Sequence, residues 1–125
     1  MTKAKYLRVT DYLGHIVEAI TRIQEYTNDM SELGFLEAKE TQGAVIRNLE
    51  IIGEASHNIE SHYPKFSDLY PDLPLWKAYE MRNALAHGYF SVDLEIVWKT
   101  VERDLPELRA EVERTQQKIN ETPLS

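Results

Sequence analysis

Apolar residues recur at helical spacing through most of the chain. Leu13, Ile16, Val17, Ile20 and Ile23 form one stripe and predict a helix from about Tyr6 to Tyr26. Val45, Leu49, Ile52, Ala55 and Ile59 form a second, predicting a helix from about Glu37 to Ser61. A third stripe runs through Leu94, Val97, Trp98, Val101, Leu105, Leu108 and Val112, in a helix starting near Asp93. Asp93 or Ser91 can cap that start, and Pro106 inside the pattern should kink the helix or restart it. A shorter helix is predicted from about Pro74 to His87. The proline- and aromatic-rich stretch SHYPKFSDLYPDLP, residues 61–74, reads as a packed loop or a broken helical turn.

Nothing alternates with the period of a strand, and no hairpin turn is visible. The expected fold is therefore all-α, an up-and-down bundle of four to five helices forming one domain over residues 1–125. With 42% hydrophobic and 28% charged residues, the composition is that of a soluble globular protein able to bury a core without staples. The absence of cysteine removes disulfides and thiolate zinc sites and suits a reducing cytoplasm. The N-terminal stretch has no long apolar core of the signal-peptide kind, and no apolar run approaches the roughly 20 residues of a membrane span. A net charge of −7 argues against a broadly basic nucleic-acid binder. An RNA or DNA contact would need a local basic site on an acidic body.

The stretch MRNALAHGYF, residues 81–90, brings candidate chemistry to the end of the shorter helix. Gly88 is placed to terminate that helix, which puts His87 in its last turn and Tyr89 beyond it. Asn83 and His87 are four apart and share a face. Arg82 and His87 are five apart and point about 140° away from each other on a regular helix. Either the helix distorts at its end or a second copy of the chain completes the site. Arginine matches phosphate oxygens with a planar fork, and histidine carries protons near neutral pH. RNA phosphodiester cleavage needs a base for the 2′-hydroxyl, an acid for the leaving oxygen and a cation for the phosphorane. One histidine is too few for base and acid together; a two-fold dimer supplies two. Spacing alone favours a structural arrangement, with Arg82 in a surface ion pair, His87 capping the helix and Tyr89 packed on the core, and leaves function unresolved.

The residues RNALAHGY, 82–89, resemble the R-x-x-x-x-H-x-Y signature of the HepT-type HEPN ribonuclease toxins. TQGAVIRNLEIIGEAS, residues 41–56, resembles the long second helix of that family. LWKAYEMRNALAHGYFSVDLEIVWKTVERDLPELRAEV, residues 75–112, is similar to its C-terminal half, including the Trp98 and Leu105–Pro106 landmarks. The resemblance implies a helical homodimer with the motif lining an interface cleft, acting as a metal-independent endoribonuclease with no cofactor. It implies Arg82 and His87 as catalytic residues and Asn83 as their support. It further implies a toxin–antitoxin pair, in which a minimal nucleotidyltransferase neutralises the chain by transferring AMP to Tyr89. The alternative is a non-catalytic HEPN module that binds nucleotide or acts as a scaffold for the transferase.

Other polar residues carry weaker expectations. His57 and His62 are five apart and lack the i, i+4 pairing of a helical metal site, so both read as solvent-facing or structural. His15 reads as surface. Asn48 falls near the apolar face of its helix and suits a buried hydrogen bond. Arg47 fits either an ordinary surface role or the cleft. Glu50 and Glu54 are expected to be solvated or paired with arginine. Tyr63, Phe66 and Tyr70 can stack on bases but are better placed in the core beneath the loop.

Overall fold

The computed structural model describes residues 8–86 and 93–121, excluding the side chains of Trp76, Ala84, Leu85 and Ala86. Among these residues the structure is helical and contains no strand. The elements are α1 (Val9–Thr27), α2 (Glu32–Glu37), α3 (Lys39–His62), α4 (Pro64–Leu69), α5 (Leu75–Ala86), α6 (Leu94–Lys99) and α7 (Leu105–Glu121). A π-helical turn, Thr100–Asp104, joins α6 to α7 without a break.

The helix α3 is the centre of the bundle, packed against both α1 and α5, while α7 lies against α1. Its buried face carries Val45, Leu49, Ile52, Ala55 and Ile59, as the spacing predicts. Leu13, Ile16, Ile20 and Ile23 of α1 are fully enclosed, and Val97, Trp98, Val101, Leu105, Leu108 and Val112 close the core from the C-terminal side. Asn48 is buried with its amide satisfied: Nδ2 donates to the Ala44 carbonyl at 2.9 Å, and Oδ1 accepts from Arg22 Nη1 at 3.3 Å.

Two short helices refine the expected architecture. Of the two readings of residues 61–74 the helical one holds, because Pro64–Leu69 forms α4 with proline in its first turn, where a missing N–H costs nothing. Phe66 of α4 is buried and packs against Tyr70, with ring centroids 4.7 Å apart and planes inclined by 39°. The helix α2 has no counterpart in the sequence reading. Ser31 caps it by accepting from the Gly34 N–H at 3.0 Å, and its Phe35 is fully buried 5.3 Å from the ring of Trp98. Pro106 neither ends nor restarts the helix. A proline ring clashes with the carbonyl four residues back in regular α-helix. Here the preceding turn widens, and the Leu105 N–H bonds to the Thr100 carbonyl in the i→i+5 pattern.

Candidate ribonuclease site

Arg82 projects from the last turns of α5 onto α3, and three features of the α3–α5 seam fix it. The first is Gly53, which is buried on α3. A Cβ there would stand 2.1 Å from Arg82 Cβ, 2.8 Å from its Cγ and 3.0 Å from the Ala78 carbonyl oxygen. The missing side chain is therefore the space in which the arginine stem lies. The second is Glu54, whose Oε1 meets Arg82 Nη2 at 2.6 Å. The third is Asn83, whose Oδ1 accepts from Arg82 Nη1 at 3.1 Å. One helical turn along the same seam, His57 stacks on Tyr79 with ring centroids 4.3 Å apart and planes inclined by 15°. His57 also lies 3.3 Å from Ser61 Oγ.

The Arg82 side chain keeps 31% of its surface accessible and Glu54 keeps 49%. The Arg82 side chain is thus held at both ends and remains partly accessible. A guanidinium has five N–H donors, and among the described residues these contacts engage one donor on each of two nitrogens. Those left match the oxygens of a phosphate group.

A cleft of about 400 Å³ opens beside Glu54, lined also by Tyr12, His15, Arg47, Glu50 and Asn58. Arg47 therefore reaches a cleft adjoining the Arg82 site, while His15 remains exposed, edge-on to Tyr12. A larger groove of about 570 Å³ lies between α5 and α7, with Leu49, Ile52, Met81, Leu105 and Leu108 in its walls. Among the described residues no three His, Asp or Glu side chains are grouped as metal ligands.

Arg82 and Asn83 are thus brought together in the structure. His87 and Tyr89, the other two motif positions, lie outside the described residues, as do Tyr6, Gly88 and Ser91. The expectation that Glu54 pairs with an arginine holds, and its partner is the motif arginine itself. Gly53 and Tyr79 were not singled out by sequence reasoning. Both act across the seam between two helices, which helical periodicity within either one does not reveal.

The sequence profile of the Ribonuclease HepT-like family matches residues 16–115, spanning α3, the seam and the whole motif. The chain belongs to the HepT-like ribonuclease family. It is 46% identical, over 83% of its length and 92% of the relative's, to a Thermococcus cleftensis protein named "Probable ribonuclease HepT". It is 38% identical to a candidate RNase of Methanocaldococcus jannaschii over 84% of this chain and 94% of that one. A larger protein of the same organism, named as a gamma-glutamylcyclotransferase and candidate RNase, is 42% identical over 87% of this chain. The match spans only 48% of that larger protein. No solved structure matches significantly.

Proposed function

We propose that this HepT-family chain is a metal-independent endoribonuclease in which Arg82 and His87 do the chemistry. The observation that carries the reading is the posture of Arg82. Its stem is seated on Gly53, its head is held by Glu54 and Asn83, and its side chain remains partly accessible. A cation built in this way is preorganised for an anion, which is what stabilisation of a charged phosphorane requires. In the proposed reaction a histidine takes the proton of the RNA 2′-hydroxyl, and the 2′-oxygen attacks the adjacent phosphorus. Arg82 donates to the non-bridging oxygens, and a second proton donor releases the 5′-oxygen. The bond to the 5′-oxygen breaks as the bond to the 2′-oxygen forms. The products are a 2′,3′-cyclic phosphate and a 5′-hydroxyl. His87 of each subunit in a homodimer would supply the base and the acid.

The proposal extends to control. The chain is a toxin restrained by a minimal nucleotidyltransferase antitoxin that transfers AMP to Tyr89. An adenylylated tyrosine two residues from His87 carries a phosphate that engages Arg82 and excludes substrate by charge and volume.

The test is to incubate purified chain, free of any partner, with a defined RNA in EDTA and to analyse the product ends. Cyclic phosphate and 5′-hydroxyl ends are expected. Cleavage that stops in EDTA and returns with magnesium, or that leaves 3′-hydroxyl ends, would sink the mechanism. The net charge of −7 favours a second reading, a non-catalytic nucleotide-binding or scaffold module for the transferase. RNA left intact under every condition, with nucleotide or transferase bound, is the outcome that reading expects.

A further inference from the structure

We infer that Glu54 is a positioning residue for RNA cleavage: its carboxylate, with Gly53 beside it, forms a cradle on α3 that sets the direction of the Arg82 guanidinium. The inference rests on the reading of Arg82 as a catalytic residue. Two independent observations meet at this point. The arginine stem occupies the space that any side chain at position 53 would fill, with Cβ to Cβ at 2.1 Å. The arginine head meets the next residue of the same helix, Glu54 Oε1, at 2.6 Å. Consecutive residues of one helix therefore grip both ends of one side chain from the neighbouring helix.

An arginine has several rotatable bonds, and one that is only partly enclosed samples many of their combinations. The Asn83 contact alone does not select among them, because Asn83 sits on the same helix and moves with it. Glu54 belongs to another helix and supplies the fixed external reference. A neutral acceptor could hold the same nitrogen less strongly, since it lacks the Coulombic attraction of a carboxylate for the guanidinium.

The carboxylate also opposes substrate, because it adds negative charge beside a phosphate site. The two roles predict opposite effects on binding and on turnover. Losing Glu54 removes a repulsion from the RNA phosphate and removes the orientation of Arg82. Binding should stay equal or tighten while the chemical step slows. A residue that only held helices together would weaken both.

The experiment measures single-turnover cleavage rate and affinity for a non-cleavable RNA carrying a 2′-deoxy substitution at the cleavage position. The proteins are the full-length wild type, Glu54→Ala, Glu54→Gln, Arg82→Ala and the Glu54→Ala/Arg82→Ala double variant. For Glu54→Ala the rate is expected to fall on the order of 10- to 100-fold, as misplacement by about 1 Å does. Affinity should be unchanged or higher. Glu54→Gln keeps an acceptor oxygen and should recover part of the lost rate. In the double variant, loss of Glu54 should no longer slow cleavage beyond the loss of Arg82 alone, since its effect on the rate passes through that side chain. Wild-type cleavage by Glu54→Ala, or faster cleavage, overturns the inference and makes the carboxylate a bystander or a brake. Rate and affinity falling together, with Glu54→Gln no better than Glu54→Ala, overturns it in favour of a role in folding. If Arg82→Ala itself cleaves normally, the catalytic reading of Arg82 fails first, and that outcome is separate from both.

Discussion

Arg82 is held by α3 as firmly as by its own helix, so its environment is sensitive to changes a whole helix away. Gly53→Ala illustrates how two effects compete. Alanine in a helix interior is favoured over glycine by about 1 kcal/mol. Against this, the new methyl would stand 2.1 Å from Arg82 Cβ, an atom fixed to the α5 backbone that cannot swing aside. Overpacking of that kind costs about 1–3 kcal/mol. The cost should win: urea denaturation is expected to show a net loss of up to about 2 kcal/mol, with cleavage slowed through displaced Arg82. Unchanged or increased stability would show that α5 shifts freely on α3. At this scale the sequence was partly legible. The motif marks Arg82 and Asn83, and their contact is local. The cradle was hidden because nothing in the string IIGEAS says which side chain fills the space above its glycine. Glu54 was read as solvated or paired with an arginine, and which arginine it meets is decided by the crossing of α3 and α5.

The long helices were legible as elements because each buries a continuous stripe, and α1, α3 and the C-terminal helix start within a few residues of their predicted positions. The short ones were not. With six residues each, α2 and α4 complete too few turns for periodicity to register, and tertiary packing holds them. Phe35 anchors α2 from a fully enclosed position. Phe35→Ala should cost about 3–5 kcal/mol in urea denaturation. A loss below about 1 kcal/mol would mean that α2 contributes little to the core. The start of α6 offers a smaller test. Asp93 accepts from the N–H groups of Glu95 and Ile96 at 3.0 and 3.2 Å. Asp93→Ala should lower stability by about 1 kcal/mol, read as faster amide exchange at those two positions. Exchange equal to wild type would show that the cap is dispensable. The proline at 106 illustrates another limit. Sequence rules foresee a kink or restart there, but the clash can also be relieved by widening the preceding turn, which is what the fold does.

For the whole molecule, the acidic body and the local basic site together predict how RNA binding responds to salt. The net charge is −7, and the site contributes Arg82 with Arg47 lining the adjoining cleft. Single-stranded nucleic acid loses about 0.7 of a log unit per neutralised phosphate for each log unit of salt. Two arginines per chain, doubled in a dimer, predict a slope shallower than about −3. Fluorescence anisotropy across a salt series checks this, and a much steeper slope would reveal an extended basic surface that the present site does not include. The dimer itself is expected from the angle between Arg82 and His87. Light scattering at micromolar concentration should give twice the chain mass, and mixing Arg82→Ala with His87→Ala chains should restore cleavage if the site is shared. An active monomer would remove the shared site. Control by modification predicts an AMP-sized mass increment, or several, on the Tyr89 peptide after co-expression with the partner transferase. Tyr89→Phe should escape both the mark and the silencing. If the partner silences that variant equally well without a covalent mark, restraint is by binding alone. No described helix is long and apolar enough to cross a membrane.

The claim on which the rest depends is that Arg82 and His87 together cleave RNA without a metal. Its most direct test compares the cleavage rates of wild-type, Arg82→Ala and His87→Ala chains in EDTA, each also followed through thermal unfolding. Removing a proton-transfer group or a charge-stabilising donor typically costs a factor of about 10² to 10⁴. Both variants are therefore expected to lose at least 100-fold in rate while melting within a few degrees of wild type. Robust cleavage by either variant, with a wild type active in the same buffer, would contradict the account.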